Sequence, residues 1–197
     1  MFLETICIKN GIVQSMEAHR KRMHDTALSF GFNAPELPGL SKLIPAELKK
    51  CKKLKCSLVY HEQILNIAFT DYRPKQINSL KLVEANVNYS FKYADRSALD
   101  ALLQEKGDCD EILMVKKGYI TDTSFSNVVF RKNGEFFTPD TYLLNGSKRQ
   151  QLLRENKIRE TRIRVNDLYH FDKLYLINAM LDIEDNPGLD VERIRQM

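Results

Sequence analysis

The sequence of 197 residues has no long apolar run. No stretch could cross a bilayer as a helix, and the N-terminus lacks the charged region and apolar run of a signal peptide. Internal repeats and low-complexity segments are also missing. We therefore expect a cytoplasmic protein without membrane partners, built as one large domain or two small ones.

Metal-binding patterns are missing as well. The cysteines form no Cys-x-x-Cys pair and have no histidine at zinc-ligand spacing, and the histidines lie far apart. We predict reduced thiols and no metal site. The cysteines are Cys7, Cys51, Cys56 and Cys109.

Charge of one sign does not accumulate along the chain. The net charge is +4, and basic residues cluster only around residues 49–55 and 159–164. In both clusters they alternate with apolar residues, which is typical of a solvated helix or strand face. We therefore expect no nucleic-acid partner.

The first half of the chain is rich in strand signals. Alternation and β-branched residues predict a strand over residues 2–8, and Asn10-Gly11 predicts a hairpin turn. Helical periodicity predicts a helix from Met16 to Phe30, which Gly31 ends. Further strands are predicted at residues 54–60, 64–70 and 80–85.

The second half combines short strands with few helices. Helices are predicted at residues 97–104 and 148–155, and a polar, frayed tail after Asp185. Strands are predicted at residues 111–115, 119–121, 127–131, 135–137, 160–165 and 174–177, with a helical turn at 167–171. Helices and strands do not alternate regularly, which favours an α+β (mixed α/β) fold over a doubly wound sheet. We place a boundary near Asn86, giving lobes at 1–86 and 87–197.

Lys92 lies among aromatic residues, between a predicted strand and a predicted helix. Partial desolvation there would disfavour the charged ammonium and make the amine a better nucleophile and base. The alternative is an ordinary surface lysine.

Three later stretches bear on Lys92. Asp122 ends a strand before a run of hydroxyl residues and could hold a cationic ring nitrogen; the alternative is a turn cap. Gly146 precedes a helix whose N-terminus could bind an anion; the alternative is an ordinary cap by Ser147. Asn178 follows a buried strand and could direct backbone amides toward an anion; the alternative is a plain turn.

In their order and spacing these stretches resemble the class IV pyridoxal-phosphate-dependent aminotransferases. That family includes branched-chain aminotransferases, D-amino-acid aminotransferases and aminodeoxychorismate lyases. The matching stretches lie at residues 2–6, 19–23, 91–93, 120–127, 138–139, 143–149 and 177–180.

The resemblance implies a two-lobed fold, a small N-terminal α/β lobe and a larger lobe with a barrel-like sheet. It implies that pyridoxal 5'-phosphate binds between the lobes, commonly in a homodimer. Lys92 would form the Schiff base and act as the catalytic residue, Arg22 would contact the cofactor phosphate, and Asp122 would bond the pyridine nitrogen.

The same resemblance implies two phosphate-binding turns. Backbone amides of Gly146, Ser147 and Lys148 would hold the phosphate, and Asn178 and Ala179 would form a later turn near the phosphate and the substrate carboxylate.

Four features depart from the family pattern. Asp122 stands where a longer Glu is usual, and Ser147-Lys148 replaces an Ile-Thr pair. Members carry another strand or two before the first matching stretch, so part of the usual substrate pocket is expected to be missing. Residues 56–61 contain no arginine, which disfavours D-amino-acid specificity.

We therefore predict a class IV aminotransferase-like enzyme acting on a small amino substrate. The alternative is an aminodeoxychorismate lyase that forms 4-aminobenzoate and pyruvate, and Asn178-Ala179-Met180 resembles that branch. A second alternative is a non-catalytic relative that binds the cofactor.

Overall fold

The computed structural model describes residues 1–196, which form two compact units. The first unit contains Met1–Pro74 and the returning segment Phe91–Asp95. The second unit contains Lys75–Ser90 and the chain from Arg96 onward. This division differs from the boundary expected at Asn86, because the strand at Leu80–Glu84 pairs with strands of the second unit.

The first unit is an antiparallel sheet with one long helix. Its four strands lie in the order β2-β1-β3-β4, and two short 3-10 turns, Leu40–Leu43 and Ala46–Leu48, connect α1 to β3. The elements are β1 (Phe2–Lys9), β2 (Ile12–Val13), α1 (Met16–Phe30), β3 (Lys53–Tyr60) and β4 (Ile64–Asp71).

The core of the first unit lies on one face of this sheet. Ile6, Ile8 and Leu58 are fully buried, because alternate residues of a strand point to the same side. Met23 and Ala27 of α1 are also buried, one turn apart on the helix.

The second unit contains the remaining elements. They are β5 (Leu80–Glu84), α2 (Ser97–Leu103), β6 (Glu111–Lys116), β7 (Tyr119–Ile120), β8 (Asn127–Lys132), β9 (Glu135–Pro139), α3 (Ser147–Arg154), β10 (Arg159–Thr161), β11 (Lys173–Ile177), β12 (Leu189–Asp190) and β13 (Ile194–Arg195). A five-stranded sheet has the order β10-β9-β8-β11-β12, and a four-stranded sheet has the order β13-β5-β6-β7.

Two central strands of the second unit, β6 and β8, have apolar, buried middle residues. All but the last residue of β6 are buried, as are the first four residues of β8. A continuous apolar run is expected where both faces of a strand are covered. Asp122 and the loop after it lie in the chain between β7 and β8.

Most sequence predictions of secondary structure are confirmed. The helix predicted from Met16 to Phe30 has those bounds, and the turn at Asn10-Gly11 joins β1 to β2. The strand predicted at residues 160–165 is shorter, since it pairs only over Arg159–Thr161 and a 3-10 turn begins at Val165.

The prediction of a frayed tail after Asp185 is wrong for the described residues. β12 pairs with β11, and β13 adds to β5 as a parallel edge strand. Ile194 is only 8% exposed, so the tail contributes to the core. None of the helices formed by residues 1–196 is long and apolar enough to span a membrane.

Replacing Ile194 by Ala should lower the free energy of unfolding by about 2 kcal/mol or more, because it leaves a gap where a buried side chain packed. Urea unfolding measures the change. The control is Arg195→Ala, an exposed neighbour on the same strand, which should change the stability by less than about 0.5 kcal/mol. Equal, small effects would show that the tail does not support the core.

Candidate functional site

Lys92 lies in the returning segment of the first unit, where the backbone is held against β1. The N–H of Leu3 donates to the carbonyl of Lys92 at 2.8 Å, and the N–H of Ala94 donates to the carbonyl of Met1 at 3.1 Å. A β-bridge joins Phe2 to Tyr93. The position of Lys92 is therefore fixed by strand-like pairing, although it lies outside a regular strand.

Both neighbours of Lys92 are anchored in an aromatic cluster. The Tyr93 ring stacks on Phe2 at 5.6 Å between centroids, and Phe91 meets Phe30 edge-on at 4.9 Å. Such pairs favour these geometries and stabilise beyond the burial of their area. Lys92 is itself half-buried, which fits the partial desolvation expected from the sequence.

Arg22, the predicted phosphate arginine, makes an ion pair with Glu4 of β1. Its Nε donates to Glu4 Oε1 at 2.7 Å, and its Nη2 donates to Oε2. His19 lies on the same face of α1, three residues earlier, and its Nδ1 is 2.6 Å from Glu4 Oε2. Glu4 and His19 are buried, and the Arg22 side chain is 16% exposed.

Glu4 is a buried anion kept ionised by its partners. Burial alone would raise its pKa, but the charge of Arg22 and the hydrogen bonds from His19 and Arg22 lower the pKa to about 2. The pair therefore orients the Arg22 guanidinium. Sequence reasoning named Arg22 and missed Glu4 and His19. The available signal was a carboxylate at an inward position of an otherwise apolar strand face, between Phe2 and Ile6.

Asp122 lies in the second unit and binds the loop before α3. Its Oδ2 accepts the N–H groups of Leu143 at 2.9 Å and Leu144 at 3.0 Å. Its Oδ1 accepts Nδ2 of Asn127 at 2.8 Å, and the same Nδ2 donates to the Leu144 carbonyl. A carboxylate can accept about four hydrogen bonds, so Oδ1 retains room for one more donor such as a ring N–H.

The environment of Asp122 disfavours its charge. Burial raises its pKa to about 6, against hydrogen bonds from Leu144, Asn127 and Leu143 and the charge of Arg149, which all act to lower it. The carboxylate is still mostly ionised at neutral pH. It can therefore accept its three hydrogen bonds and keep a negative charge for a cationic partner.

A side chain at Gly146 would require Asn127 to move. A Cβ at this position would be 2.1 Å from Oδ1 of Asn127, closer than any real contact. α3 then begins at Ser147, and no side chain caps its first turn. Backbone N–H groups at a helix start need an acceptor and attract anions, so this turn suits a phosphate.

Arg149 ties the first turn of α3 to neighbouring strands. Its guanidinium is fully buried and stacks on the Tyr142 ring at 4.2 Å. Nη2 donates to the Pro139 carbonyl at 3.0 Å and to Glu160, and Nη1 contacts Asn145 Oδ1 at 3.3 Å. Among the described residues, its Nε has no hydrogen-bond partner. A fixed cation beside the turn adds to the positive potential there.

The Asn178 turn is attached to the segment that follows Asp122. Asn178 Oδ1 accepts the N–H of Met180 at 2.8 Å, and its Nδ2 donates to the Phe125 carbonyl at 3.3 Å. Backbone bonds between Asn178 and Leu181 close the turn with Ala179 inside it. Asn178 therefore lies in a turn whose backbone its side chain holds in place, and its role toward an anion stays a prediction.

The predicted site residues divide between the two units. Lys92 and Arg22 lie in the first, and the second brings together Asp122, the Gly146–Lys148 turn and the Asn178-Ala179 turn. Their roles toward a cofactor stay predictions. Within residues 1–196, no group of three or more His, Cys, Asp or Glu side chains could hold a metal ion.

A buried acid, a glycine packed on an amide and an uncapped helix start lie together in the second unit. The sequence matches the family described as Amino-transferase class IV over residues 1–184. The chain belongs to that family, whose members are pyridoxal-phosphate-dependent enzymes.

Relatives support the assignment along the whole chain. An uncharacterised protein of Haemophilus influenzae is 36% identical over 181 residues, covering 90% of this chain and 96% of the relative. A solved protein of Haemophilus somnus 129PT, provisionally described as a 4-amino-4-deoxychorismate lyase, is 32% identical with a TM-score of 0.79, covering 91% and 95% of the two chains.

A more distant neighbour shows the shared fold alone. A hypothetical aminotransferase from Mycobacterium tuberculosis, solved in its PLP-bound form, is 16% identical with a TM-score of 0.76 and covers 98% of this chain and 80% of its own. The mixed α/β fold with a curled half-barrel sheet, expected from the resemblance, is confirmed by these matches.

Replacing Glu4 by Gln should destabilise the protein by about 3 kcal/mol or more at neutral pH, because it leaves the partly buried Arg22 charge without its carboxylate. The lowered pKa means that the ionised Glu4 stabilises the fold above about pH 4.5, and that this is lost as pH falls toward about 2. The difference in free energy of unfolding between wild type and variant should therefore become smaller as the pH is lowered. Urea unfolding at several pH values measures this difference.

The control for Glu4 is Glu17→Gln on α1. Glu17 pairs with Arg20, but its side chain is 84% exposed, so its loss should change the stability by less than about 1 kcal/mol at any pH. If the loss of unfolding free energy caused by Glu4→Gln stays constant as the pH is lowered, Glu4 is not the ionised group assigned here.

Replacing Gly146 by Ala should displace Asn127 and weaken the contacts of Asp122, lowering the free energy of unfolding by about 1 to 3 kcal/mol. Gly39→Ala is the matched control, since its new Cβ would meet nothing closer than 3.7 Å. Thermal unfolding compares the two variants. A neutral Gly146→Ala would show that the Asn127 contact is not restrictive.

Proposed function

We propose that the chain is a pyridoxal-phosphate-dependent enzyme that acts on a small amino substrate, with Lys92 as the residue that binds the cofactor covalently. The observation that carries the proposal is the arrangement of Asp122, Asn127 and Gly146 at the uncapped start of α3. Membership of class IV supplies the cofactor class. The donor set of the second unit suits a phosphate and a cationic ring nitrogen.

When bound, pyridoxal phosphate supplies an electron sink for charge that develops at the substrate α-carbon. The amine of Lys92 would hold the cofactor covalently and, with substrate bound, would move a proton at that α-carbon. The Lys92 backbone is held between anchored aromatic residues, which fixes the point from which the side chain extends.

Asp122 would hold the ring nitrogen in its protonated form through the acceptor position left on Oδ1. The N–H groups of Leu143 and Leu144 fix the carboxylate orientation. Backbone amides at Gly146, Ser147 and Lys148, together with those at Asn178 and Ala179, would bind the phosphate. Arg22, which Glu4 orients, would add a charge-assisted hydrogen bond to it.

Transamination of a small amino acid is our first candidate reaction. Elimination of pyruvate from aminodeoxychorismate, with release of 4-aminobenzoate, is the second. It is favoured by the 32% identity to the Haemophilus somnus protein provisionally described as that lyase. We further propose that the enzyme is a cytoplasmic homodimer. Light scattering after size-exclusion chromatography tests the oligomeric state.

Purified protein with added cofactor should show a visible absorbance band, because a lysine-bound cofactor absorbs there. Lys92→Ala should remove that band. Lys50→Ala, an exposed lysine of the same unit, should retain it. If the wild-type protein shows no such band, the enzyme proposal is overturned. The non-catalytic alternative is then unsupported too, because it also requires a bound cofactor.

A substrate panel then separates the two candidate reactions. Amino donors with 2-oxoglutarate should yield glutamate if the enzyme is an aminotransferase. Aminodeoxychorismate should yield 4-aminobenzoate and pyruvate if it is a lyase. Lys92→Ala should lower either rate at least about a hundredfold, since it removes both the attachment residue and the general base. A bound cofactor with neither product would refute both reactions.

A further inference from the structure

One ion pair joins the two predicted phosphate turns of the second unit. Lys148 is the second residue of α3, and its Nζ is 2.7 Å from Oδ2 of Asp182. Asp182 follows the turn that runs from Asn178 to Leu181. The side chain of Lys148 is 15% exposed and that of Asp182 is 32% exposed. The contact is therefore partly shielded from water and less screened than a surface pair.

Asp182 is held firmly by its own surroundings. Its Oδ1 accepts the N–H of Ile183 at 2.8 Å, and its N–H donates to Asp185 Oδ2 at 3.1 Å. Its carbonyl accepts Nδ2 of Asn186 at 3.0 Å. The Asp182 carboxylate therefore acts as a fixed point against which the long Lys148 side chain is positioned.

Lys148 lies where a helix disfavours a cation. The positive end of the helix dipole is at the first turn, Arg149 follows directly, and the first turn of α3 contains no acidic residue. Asp182 supplies the compensating charge from a different element. The lysine is thus satisfied by the neighbouring turn and not by its own helix.

We propose that the Lys148–Asp182 ion pair is a tether that fixes the spacing of the Gly146–Lys148 turn and the Asn178-Ala179 turn, and thereby sets the affinity for the cofactor phosphate. The inference rests on the proposed function. Lys148 and Asp182 are positioning residues, because they act through the backbone amides of the two turns.

The Lys148–Asp182 pair adds a direct link between two turns that are each attached elsewhere. Asp122 binds the chain before Gly146 through Leu143 and Leu144. Asn178 binds the carbonyl of Phe125. Both turns are therefore linked to the segment that follows β7, and Lys148–Asp182 adds the direct side-chain link between them. Because both turns are anchored and directly linked, their N–H groups are held at one separation. Less conformational entropy is then lost when an anion binds.

The test compares Lys148→Met, Asp182→Asn and the double variant. Asn at 182 can still accept the N–H of Ile183, so the local turn is preserved. Dissociation constants are measured by titration for pyridoxal phosphate and for pyridoxal, which lacks the phosphate. Lys173→Met is the matched control, since Lys173 pairs with Asp190 at 3.1 Å and is 28% exposed.

Each single variant should weaken pyridoxal phosphate about tenfold, and the double variant no further, because all three lose the same contact. Tenfold corresponds to about 1.4 kcal/mol. Pyridoxal affinity and the control should change little. A merely structural role would lower the melting temperature without changing the ratio of the two affinities.

Other outcomes overturn the inference. If Lys148→Met weakens phosphate binding while Asp182→Asn preserves or tightens it, Lys148 is a direct phosphate ligand and no tether exists. If the wild type binds pyridoxal phosphate and the Lys148 and Asp182 variants bind it with the same affinity, only the tether proposal is overturned. A wild type that binds no pyridoxal phosphate overturns the proposed function, and the tether with it.

Discussion

A carboxylate that is buried must find hydrogen-bond donors, and much of the second unit is arranged around that requirement at Asp122. The donors come from the loop before α3 and from Asn127 at the start of β8. The hydrogen bonds that satisfy the Asp122 carboxylate thereby attach that loop to the start of β8. The same amide side chain leaves no room for a side chain at Gly146. The contacts between Asp122, Asn127 and the loop therefore offset the cost of burying the carboxylate and also fix the position of the loop.

Local patterns were sufficient wherever neighbouring residues decide the structure. The α1 bounds follow from periodicity and the glycine at its end, and the first hairpin follows from Asn10-Gly11. The tail was mispredicted because β12 and β13 are two residues long, and each exists through pairing with a distant strand. Strands that short carry no periodicity, so partners far along the chain determine them.

The candidate site shows the same limit. Order and spacing along the chain pointed to Lys92, Arg22 and Asp122, but not to what each side chain contacts. Glu4 meets Arg22 across 18 positions, and Asp182 meets Lys148 across 34. Such contacts depend on how strands and helices pack, which a single sequence specifies only through the whole fold. The direction of Asp122 toward Leu143 and Leu144 was likewise a tertiary outcome.

The chain passes between the two units more than once, since Phe91–Asp95 returns to the first unit after β5 has joined the second. Neither unit is therefore one continuous piece of polypeptide. A gene cut at any single point cannot deliver either unit whole, so recombination that exchanges one unit between relatives needs three junctions, after Pro74, Ser90 and Asp95. The residue predicted to carry the chemistry, Lys92, is encoded within this short return. Any fragment built from the first 74 residues alone would lose it.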